Sequence, residues 1–322
     1  MKHHPFIYSL LLSLLLVAIL LQWVGFDIAQ CEEYLSALDG GVLLLITLLF
    51  LLRQWIRTLR LRVMIGQQKA GRGLFAVALQ QQFLLTFIPF RMGELALPVL
   101  LKRRGVPMAQ TLAVLLVIRS MDLLAMALYL LILLQLSLHY LPFDLAVANS
   151  VLLFLIALLT LLAGALLYGA RRWPEGHVEL LNHPRVAWLP KRFWLAERLS
   201  VFIQSIAQLP NRAFVMALLF SPLLLLTSGL MMVLFFANLE PHFSWQASML
   251  GEVLMSLVNL LPIQGVAAVG TFEGTFVMIY GSMGVVLEKG LALAVTIHLV
   301  HVVLNLFSGL LGVGLGRWQK MK

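Results

Sequence analysis

The chain has 322 residues, of which 61% are hydrophobic and only 11% are charged, and its net charge is +9. Because a soluble domain carries about a quarter charged residues, this composition excludes a water-soluble globular protein and makes lipid the solvent. We interpret the excess of Lys and Arg as the mark of cytoplasmic loops, and we expect no nucleic acid as a partner.

Six apolar segments are long enough to cross a bilayer as helices, which takes about 20 residues. They are 6–26, 39–57, 108–138, 143–170, 213–237 and 290–316. The first resembles a signal peptide, but no A-x-A cleavage site follows it, so we expect an uncleaved span. The sequence predicts an all-α, polytopic membrane protein with a single transmembrane domain over residues 1–322.

Two further apolar stretches, 73–101 and 246–287, are interrupted. The first is broken at Pro89, and the second at Pro262 and the glycines that follow it. Lipid cannot satisfy the backbone groups that such a break frees, so broken helices in membranes are buried in protein or line a cavity. We expect both stretches to be re-entrant hairpins.

Basic residues indicate which loops are cytoplasmic. They are concentrated after the second span, after stretch 73–101, in the loop 171–212 and at the C-terminus, whereas the intervening loops are acidic or neutral. This pattern predicts that both termini are cytoplasmic, in a bacterial inner membrane, and that the two hairpins enter from opposite faces.

The same spacing follows both breaks. A glutamate near each break is followed 25 and 28 residues later by two polar residues on the next spanning helix. The two sets are Glu94, Arg119 and Asp122, and Glu273, His298 and His301. Paired broken segments in an inverted repeat are typical of the central site of a transporter. The sequence therefore predicts an inverted repeat.

Glu94 and Glu273 are the first candidates for a functional site. A carboxylate at membrane depth is costly unless it is paired or hydrated, and intramembrane ionisable residues are functional by default. Each glutamate also follows a helix break, where the N–H groups of a helix start favour negative charge, so a structural capping role stays open.

Arg119 and Asp122 lie three residues apart on one helix face. We expect them to pair with each other or with Glu94, and a purely structural ion pair is the alternative to a functional one. Arg119 also has the fork geometry that fits a lipid phosphate.

His298, His301 and Asn305 share one face of the last span. Proton relay or headgroup hydrogen bonding fits them better than metal binding, since no third strong ligand lies close in sequence. Polar packing against the second hairpin is the structural alternative.

Arg53, Arg57 and Arg60 lie at the cytoplasmic end of the second span. The positive-inside pattern accounts for the group, and Arg57 is its best candidate for contact with an anionic headgroup. The predicted substrate-binding residues are Arg57, Arg91, Glu94, Arg119, Asp122, Glu273, His298, His301 and Asn305.

No Ser-His-Asp spacing, H-E-x-x-H or nucleotide-binding loop appears. The one cysteine, Cys31, excludes an intramolecular disulfide and a cysteine-based metal site. We expect no enzyme activity, no metal and no cofactor.

The chain resembles the membrane domain of lysylphosphatidylglycerol synthase/flippase proteins, a family that includes many stand-alone flippase-like members. The resemblance covers about residues 6 to 316 and rests on four motifs. These are Leu59-Arg60-Leu61-Arg62, Phe87 to Glu94, Arg119 to Asp122, and Pro262 to Glu273. The last is less glycine-dense than the family pattern, so substrate detail is expected to differ. The aminoacyl-transfer domain of the full synthases is not matched, so lipid aminoacylation is not implied.

The resemblance implies the translocation or handling of membrane lipids with an anionic or lipid-linked headgroup. The leading hypothesis is a lipid flippase or transporter with a central polar cavity. The alternative is an integral membrane transferase acting on a lipid-linked sugar or phosphate, for which Asp122 and Glu94 are the candidate acidic residues. A non-catalytic assembly partner is a third hypothesis, and a homo-oligomer stays open.

The sharpest structural expectation is that the tips of the two hairpins touch near the middle of the bilayer. Such a contact satisfies the backbone groups that each break frees. It also places the two glutamates, Arg119, Asp122 and the two histidines around one cavity, and the glutamates are expected to line this pocket or its two mouths.

Overall fold

The structure is a computed structural model, which describes residues 28–66, 73–136 and 201–318 together with isolated positions between 150 and 168. Every element in this described part is helical. Helices with both ends in it are α1 (Ile28–Ala37), α2 (Gly40–Ile65), α3 (Leu74–Phe87), α4 (Ala96–Lys102), α5 (Met108–Leu136), α6 (Asn211–Leu239), α7 (Trp245–Val258), α8 (Thr271–Ser282) and α9 (Leu287–Trp318). Two short 3₁₀ turns, Met92–Leu95 and Val266–Ala268, lie at the breaks.

Within the described residues, four helices are long and apolar enough to cross a membrane. They are α2, α5, α6 and, from Lys289 onward, α9. The predicted all-α, polytopic fold is therefore confirmed. The predicted span 6–26, and 143–170 apart from isolated positions, lie outside the described residues, as does most of the loop 171–212.

Helix α2 is longer than predicted. Its start is capped by Asp39, whose carboxylate accepts the N–H groups of Gly41 and Val42 at 2.8 and 3.1 Å. No Gly or Pro interrupts residues 42–65, and Arg is a good helix former, so the helix continues to Ile65. The prediction that the span ends at residue 57, followed by a basic loop, is wrong for this reason.

The first broken segment folds back on itself. Its helices α3 and α4 have 14 and 7 residues, fewer than the about 20 that a span requires. Leu74 at the start of α3 and Leu101 at the end of α4 belong to the same buried apolar cluster, so both ends of the segment are close together. At the turn, Gly93 is pressed against the backbone of α3, because a Cβ there would lie 2.2 Å from the carbonyl oxygen of Leu84.

The second broken segment is also a hairpin. Helices α7 and α8 have 14 and 12 residues. The Tyr280 hydroxyl, near the end of α8, donates a 2.9 Å hydrogen bond to the Ser248 carbonyl, near the start of α7. The two helices are therefore antiparallel. Gly270 begins α8 with a φ of 80°, a value that favours glycine.

The tips of the two hairpins touch. The backbone N–H of Phe90 in the first break donates to the carbonyl of Gln264 in the second at 2.8 Å. Each tip also holds two consecutive non-glycine residues in the left-handed region, namely Phe90 and Arg91, and Ala267 and Ala268, with φ between 52° and 59°. The expectation that the broken segments contact each other is confirmed.

Two apolar clusters hold the helices together. The larger includes residues of α2 and α5 to α9, with an aromatic group in which the rings of Phe236 and Phe276 lie 4.8 and 4.4 Å from that of Tyr280. The smaller joins the end of α2 to α3, α4 and the first turns of α5 and α6. A polar cavity is bordered by members of both clusters.

Candidate functional site

The cavity has a volume of about 310 Å³ and is lined by α2, α3, α5, α6, α7, α9 and both hairpin tips. This volume lies at the lower end of the about 300–1,000 Å³ typical of ligand pockets. Among the described residues, five arginines and two carboxylates line it: Arg53, Arg57, Arg60, Arg91, Arg119, Asp122 and Glu252. Its lining is therefore rich in positive charge.

Glu94 holds two of these arginines. Arg119 approaches it as a fork, with Nη2 at 2.7 Å from Oε1 and Nε at 3.2 Å from Oε2. Arg91 donates from Nε at 2.8 Å and from Nη2 at 2.6 Å to Oε1. The expected pairing of Arg119 with Glu94 is confirmed, and one carboxylate here faces two guanidinium groups.

Asp122 lies between Arg119 and Arg60, a residue that the positive-inside pattern was expected to explain. Its Oδ1 is 2.5 Å from Nη1 of Arg60, and its Oδ2 is 3.6 Å from Nη1 of Arg119. The Ser221 hydroxyl donates to Asp122 at 2.7 Å and accepts from Arg60 at 2.9 Å. Arg60 is only 6% exposed, so explaining it by the positive-inside pattern is wrong. Arg60 lies three residues after Arg57 on α2, so both side chains are on the face of the helix that is turned toward the cavity.

Arg57 is surrounded by neutral acceptors. Its guanidinium donates to the side-chain oxygens of Gln54 at 3.4 Å and Gln81 at 3.2 Å, and also to that of Gln82. Gln82 in turn donates to Asn305 on α9 at 2.9 Å. Within the described part of the chain, Arg57 forms no ion pair with a carboxylate, so its charge is solvated by amide dipoles.

Arg53 and Glu252 are further lining residues that sequence reasoning did not select. The Nε atom of Arg53 is buried without a hydrogen-bond partner among the described residues. Glu252 lies on α7, where the Ser256 hydroxyl donates to it at 3.4 Å. Its position inside an apolar stretch was the available signal, because ionisable residues at membrane depth mark functional sites.

Glu273 and His298 form the second carboxylate pair. His298 Nδ1 lies 2.5 Å from Glu273 Oε1, and His298 Nε2 lies 2.8 Å from the carbonyl oxygen of Ala267. Glu273 Oε2 accepts the N–H of Gly270 at 2.7 Å, so the glutamate also caps α8. The Phe272 ring is stacked on the His298 ring at 4.5 Å. The capping role anticipated for Glu273 is confirmed.

His301 and Asn305 continue the same face of α9 into the cavity. The His301 ring is edge-on to Phe235 at 5.6 Å and to Phe272 at 6.2 Å. Asn305 donates to the His301 carbonyl at 2.7 Å and, through Gln82, contacts the first hairpin. The structural alternative for these residues, polar packing against the second hairpin, is observed for His298. Asn305 contacts the first hairpin instead.

The structure brings all the predicted site residues together. Seven line the cavity: Arg57, Arg91, Arg119, Asp122, His298, His301 and Asn305. Glu94 and Glu273 each hold a lining partner 25 residues later, Arg119 and His298 respectively, since pairing lowers the cost of a carboxylate in an apolar medium. The expectation that the two glutamates line the pocket or its two mouths stays a prediction.

The arrangement of the acidic side chains bears on metal binding and on acid–base catalysis. Among the described residues, no group of three or more His, Cys, Asp or Glu is arranged to hold a metal ion. The two candidate acidic residues of the transferase alternative, Asp122 and Glu94, are both engaged by arginines.

Comparison with known proteins identifies the family of the chain. A family model described as the lysylphosphatidylglycerol synthase TM region matches residues 7–309. No curated protein and no solved structure is similar enough to match. The matched region contains both hairpins and the residues that line the cavity.

Proposed function

We propose a lipid-translocating function for this chain, which belongs to the lysylphosphatidylglycerol synthase transmembrane-region family. The chain is a multi-pass membrane protein of a lipid-related family. The proposal adds that the cavity receives the anionic phosphate of a lipid headgroup and that the protein moves this lipid between the two leaflets.

The surroundings of Arg57 carry this proposal. A charge at membrane depth is costly unless it is paired, yet among the described residues Arg57 is held by glutamine oxygens alone. A phosphate can accept two parallel N–H bonds from a guanidinium and supply the missing negative charge. The amide groups keep the arginine in place while no ligand is bound, and a phosphate stabilises it further.

The charge of the whole lining supports the same ligand. Glu94 is shared by Arg91 and Arg119, and Asp122 by Arg60 and Arg119. The arginines therefore outnumber the carboxylates that hold them. An anion is the complementary ligand for such a cavity, because field lines are focused in a cleft with low-dielectric walls.

We further propose that the two hairpins are re-entrant and belong to an inverted repeat. Each of their helices is too short to cross alone, and their tips touch through Phe90 and Gln264. The equal separation of Glu94 from Arg119 and of Glu273 from His298 supports the repeat. In transporters built this way, one half rocks against the other around a central site.

The proposal has no catalytic step, no metal and no cofactor. Asp122 and Glu94, the acidic residues of the transferase alternative, are each engaged by two arginines. We place the protein in a bacterial inner membrane with both termini cytoplasmic, because basic residues are concentrated at those ends and in the loops on that side.

Transport in liposomes tests the proposal. Purified protein is reconstituted with a fluorescent phospholipid that carries an anionic headgroup, and an impermeant quencher reports how fast the label changes leaflet. We expect faster exchange than in protein-free liposomes. We also expect Arg57→Gln to slow it about tenfold or more, since a hydrogen bond to a charged group contributes about 1.5–3 kcal/mol.

The matched control is Arg62→Gln, which removes an exposed arginine from the same helix. Arg57→Lys keeps the charge but loses the fork, so it is expected to recover part of the rate. If the wild-type protein does not accelerate exchange, or if Arg57→Gln behaves like Arg62→Gln, the proposed function is wrong.

A further inference from the structure

We infer that Glu273 and His298 form a proton-binding site, and that binding and release of one proton there is coupled to lipid movement. The inference rests on the proposed lipid transport and adds the driving ion. It follows from the hydrogen bonds of the His298 imidazole ring and from the bonds that join this pair to the tip of the second hairpin.

The partners of His298 fix how many protons the pair holds. A carbonyl oxygen can only accept, so Nε2 must carry a hydrogen to bind Ala267 at 2.8 Å. On the other side, Nδ1 and Glu273 Oε1 are 2.5 Å apart, which requires one more hydrogen between them. The pair is therefore either an imidazolium with a carboxylate or a neutral imidazole with a carboxylic acid.

Loss of this shared proton leaves the pair one hydrogen bond short. A neutral imidazole carries a single N–H, so His298 can donate either to Glu273 or to the Ala267 carbonyl, but not to both. Because a charged carboxylate is the stronger acceptor, the hydrogen stays on Nδ1 and the bond to Ala267 is lost. The charge of the pair changes from neutral to −1.

The proton can be exchanged with the cavity through His298. Its ring lines the cavity, although His298 and Glu273 are both buried. A volume of about 310 Å³ can hold about ten water molecules, at about 30 Å³ each. His301, one turn further along α9, is the ionisable neighbour of His298, and Arg53 on α2 and Glu252 on α7 line the same cavity.

The pair is attached to the tip of the second hairpin on both sides. Glu273 holds Gly270 and His298 holds Ala267, which has a left-handed φ of 52°. A non-glycine residue in that region is strained and persists only when neighbours hold it. This tip is the one that bonds to Phe90 of the first hairpin. Release of the proton therefore loosens the contact on which rocking of the two halves depends.

The equivalent pair in the first half shows why only one half is suited to this task. Glu94 is also held by a residue 25 positions later, but that residue is Arg119, whose guanidinium does not release a proton in proteins. The first pair therefore has a permanently charged member, whereas both members of the second pair can carry or give up a proton.

Proton movement is measured first in liposomes loaded with a pH-sensitive dye, together with exchange of the fluorescent anionic phospholipid. For the wild-type protein, we expect a pH gradient to alter the exchange rate by up to about tenfold per pH unit, the limit for one proton. Glu273→Gln places an amide where the shared proton lies, so it can donate to His298 and still accept from Gly270. This variant mimics the proton-bound pair, and we expect it to fold but to lose the response to pH.

The exposed controls are Glu33→Gln and His242→Gln, which should keep the wild-type response. If lipid exchange is normal but does not respond to pH, or if Glu273→Gln responds as the wild type does, the inference is wrong while the proposed function stands. Absence of exchange in the wild type would instead contradict the proposed function.

A second measurement does not depend on transport. Acid–base titration of the purified protein counts the protons released between about pH 4 and pH 9, a range that includes the ordinary pKa values of Glu and His. We expect the double variant Glu273→Gln with His298→Gln, which removes both groups, to release one proton fewer than the wild-type protein, because the pair as a whole binds and releases one proton. Equal release by the two proteins, or a difference of two protons, would overturn the inference.

Discussion

The backbone N–H of Phe90 donates to the carbonyl oxygen of Gln264 at 2.8 Å, and this bond joins the tips of the two hairpins. Both groups belong to breaks in a helix, where the ordinary intrahelical partner is missing. By bonding to each other, the two backbone groups gain the hydrogen bond that lipid cannot provide. The cavity lies at this junction, which explains why residues distant in sequence line it together.

The close approach at Gly93 provides a test of the first hairpin. A Cβ at this position would lie 2.2 Å from the Leu84 carbonyl oxygen and 2.5 Å from the Leu85 Cα, both of which are backbone atoms that cannot rotate away. We therefore expect Gly93→Ala to destabilise the protein by about 1–3 kcal/mol, as overpacking commonly does. Thermal unfolding in detergent measures the effect.

The control for this change is Gly314→Ala on α9, where a Cβ meets nothing within 4 Å. Alanine favours helix over glycine, so the control should be neutral or slightly stabilising. Equal melting temperatures for the two variants would contradict the packing at the tip.

Much of the fold could be predicted from hydropathy and helix breakers. The four described spanning helices and the positions of both breaks follow from apolar length and from Pro and Gly, because backbone satisfaction dominates in lipid. The end of α2 was misplaced because arginines were taken as the sign of a loop. Arginine side chains do not end a helix when acidic residues of the protein form ion pairs with them, as Asp122 does with Arg60.

The candidate site was predictable in its members but not in its pairing. Separations of 25 residues marked Arg119 and His298 as equivalent positions of a repeat, and each contacts its glutamate. Only the contact of Arg119 with Glu94 was expected. Tertiary neighbours could not be derived in the same way. Gln81 and Gln82 look unremarkable in an apolar stretch, and only the crossing of α2 and α3 places them on Arg57.

Outside the four spanning helices, Tyr34 on α1 donates its hydroxyl hydrogen to Glu240, which follows α6. Burial, and then the bond to the Glu240 carboxylate and its charge, raise the pKa of Tyr34. The unfolded phenol loses its proton near about pH 10 while the folded one keeps it, so stability is present below that pH and falls as the pH rises past it. We expect Tyr34→Phe to show a shallower loss of thermal stability between about pH 9 and pH 11, and an unchanged slope would contradict this assignment.

Topology can be tested by labelling single cysteines with an impermeant reagent in intact cells. In a background of Cys31→Ser, we expect His242→Cys, in the loop after α6, to be labelled from outside. Lys102→Cys, at the end of α4, should be labelled only after the cells are opened, because basic residues accumulate on the cytoplasmic side. Labelling of both positions from outside, or protection of His242→Cys, would contradict the proposed orientation.

The buried pair of Arg60 and Asp122 gives the largest expected effect on stability. Arg60 is 6% exposed, and the 2.5 Å contact with Asp122 offsets the cost of its burial. Asp122→Asn removes the charge but keeps the shape, so it leaves a buried cation unpaired and should destabilise the protein by about 3–5 kcal/mol.

The double variant Arg60→Met with Asp122→Leu removes both charges and fills similar volume, so most of that loss should be recovered. Glu33→Gln, which removes an exposed carboxylate, serves as the matched control. Thermal unfolding of the four proteins in the same detergent separates the cost of an unpaired charge from the loss of a contact. If the double variant is as unstable as Asp122→Asn, the pair contributes by packing and not by compensating a buried charge.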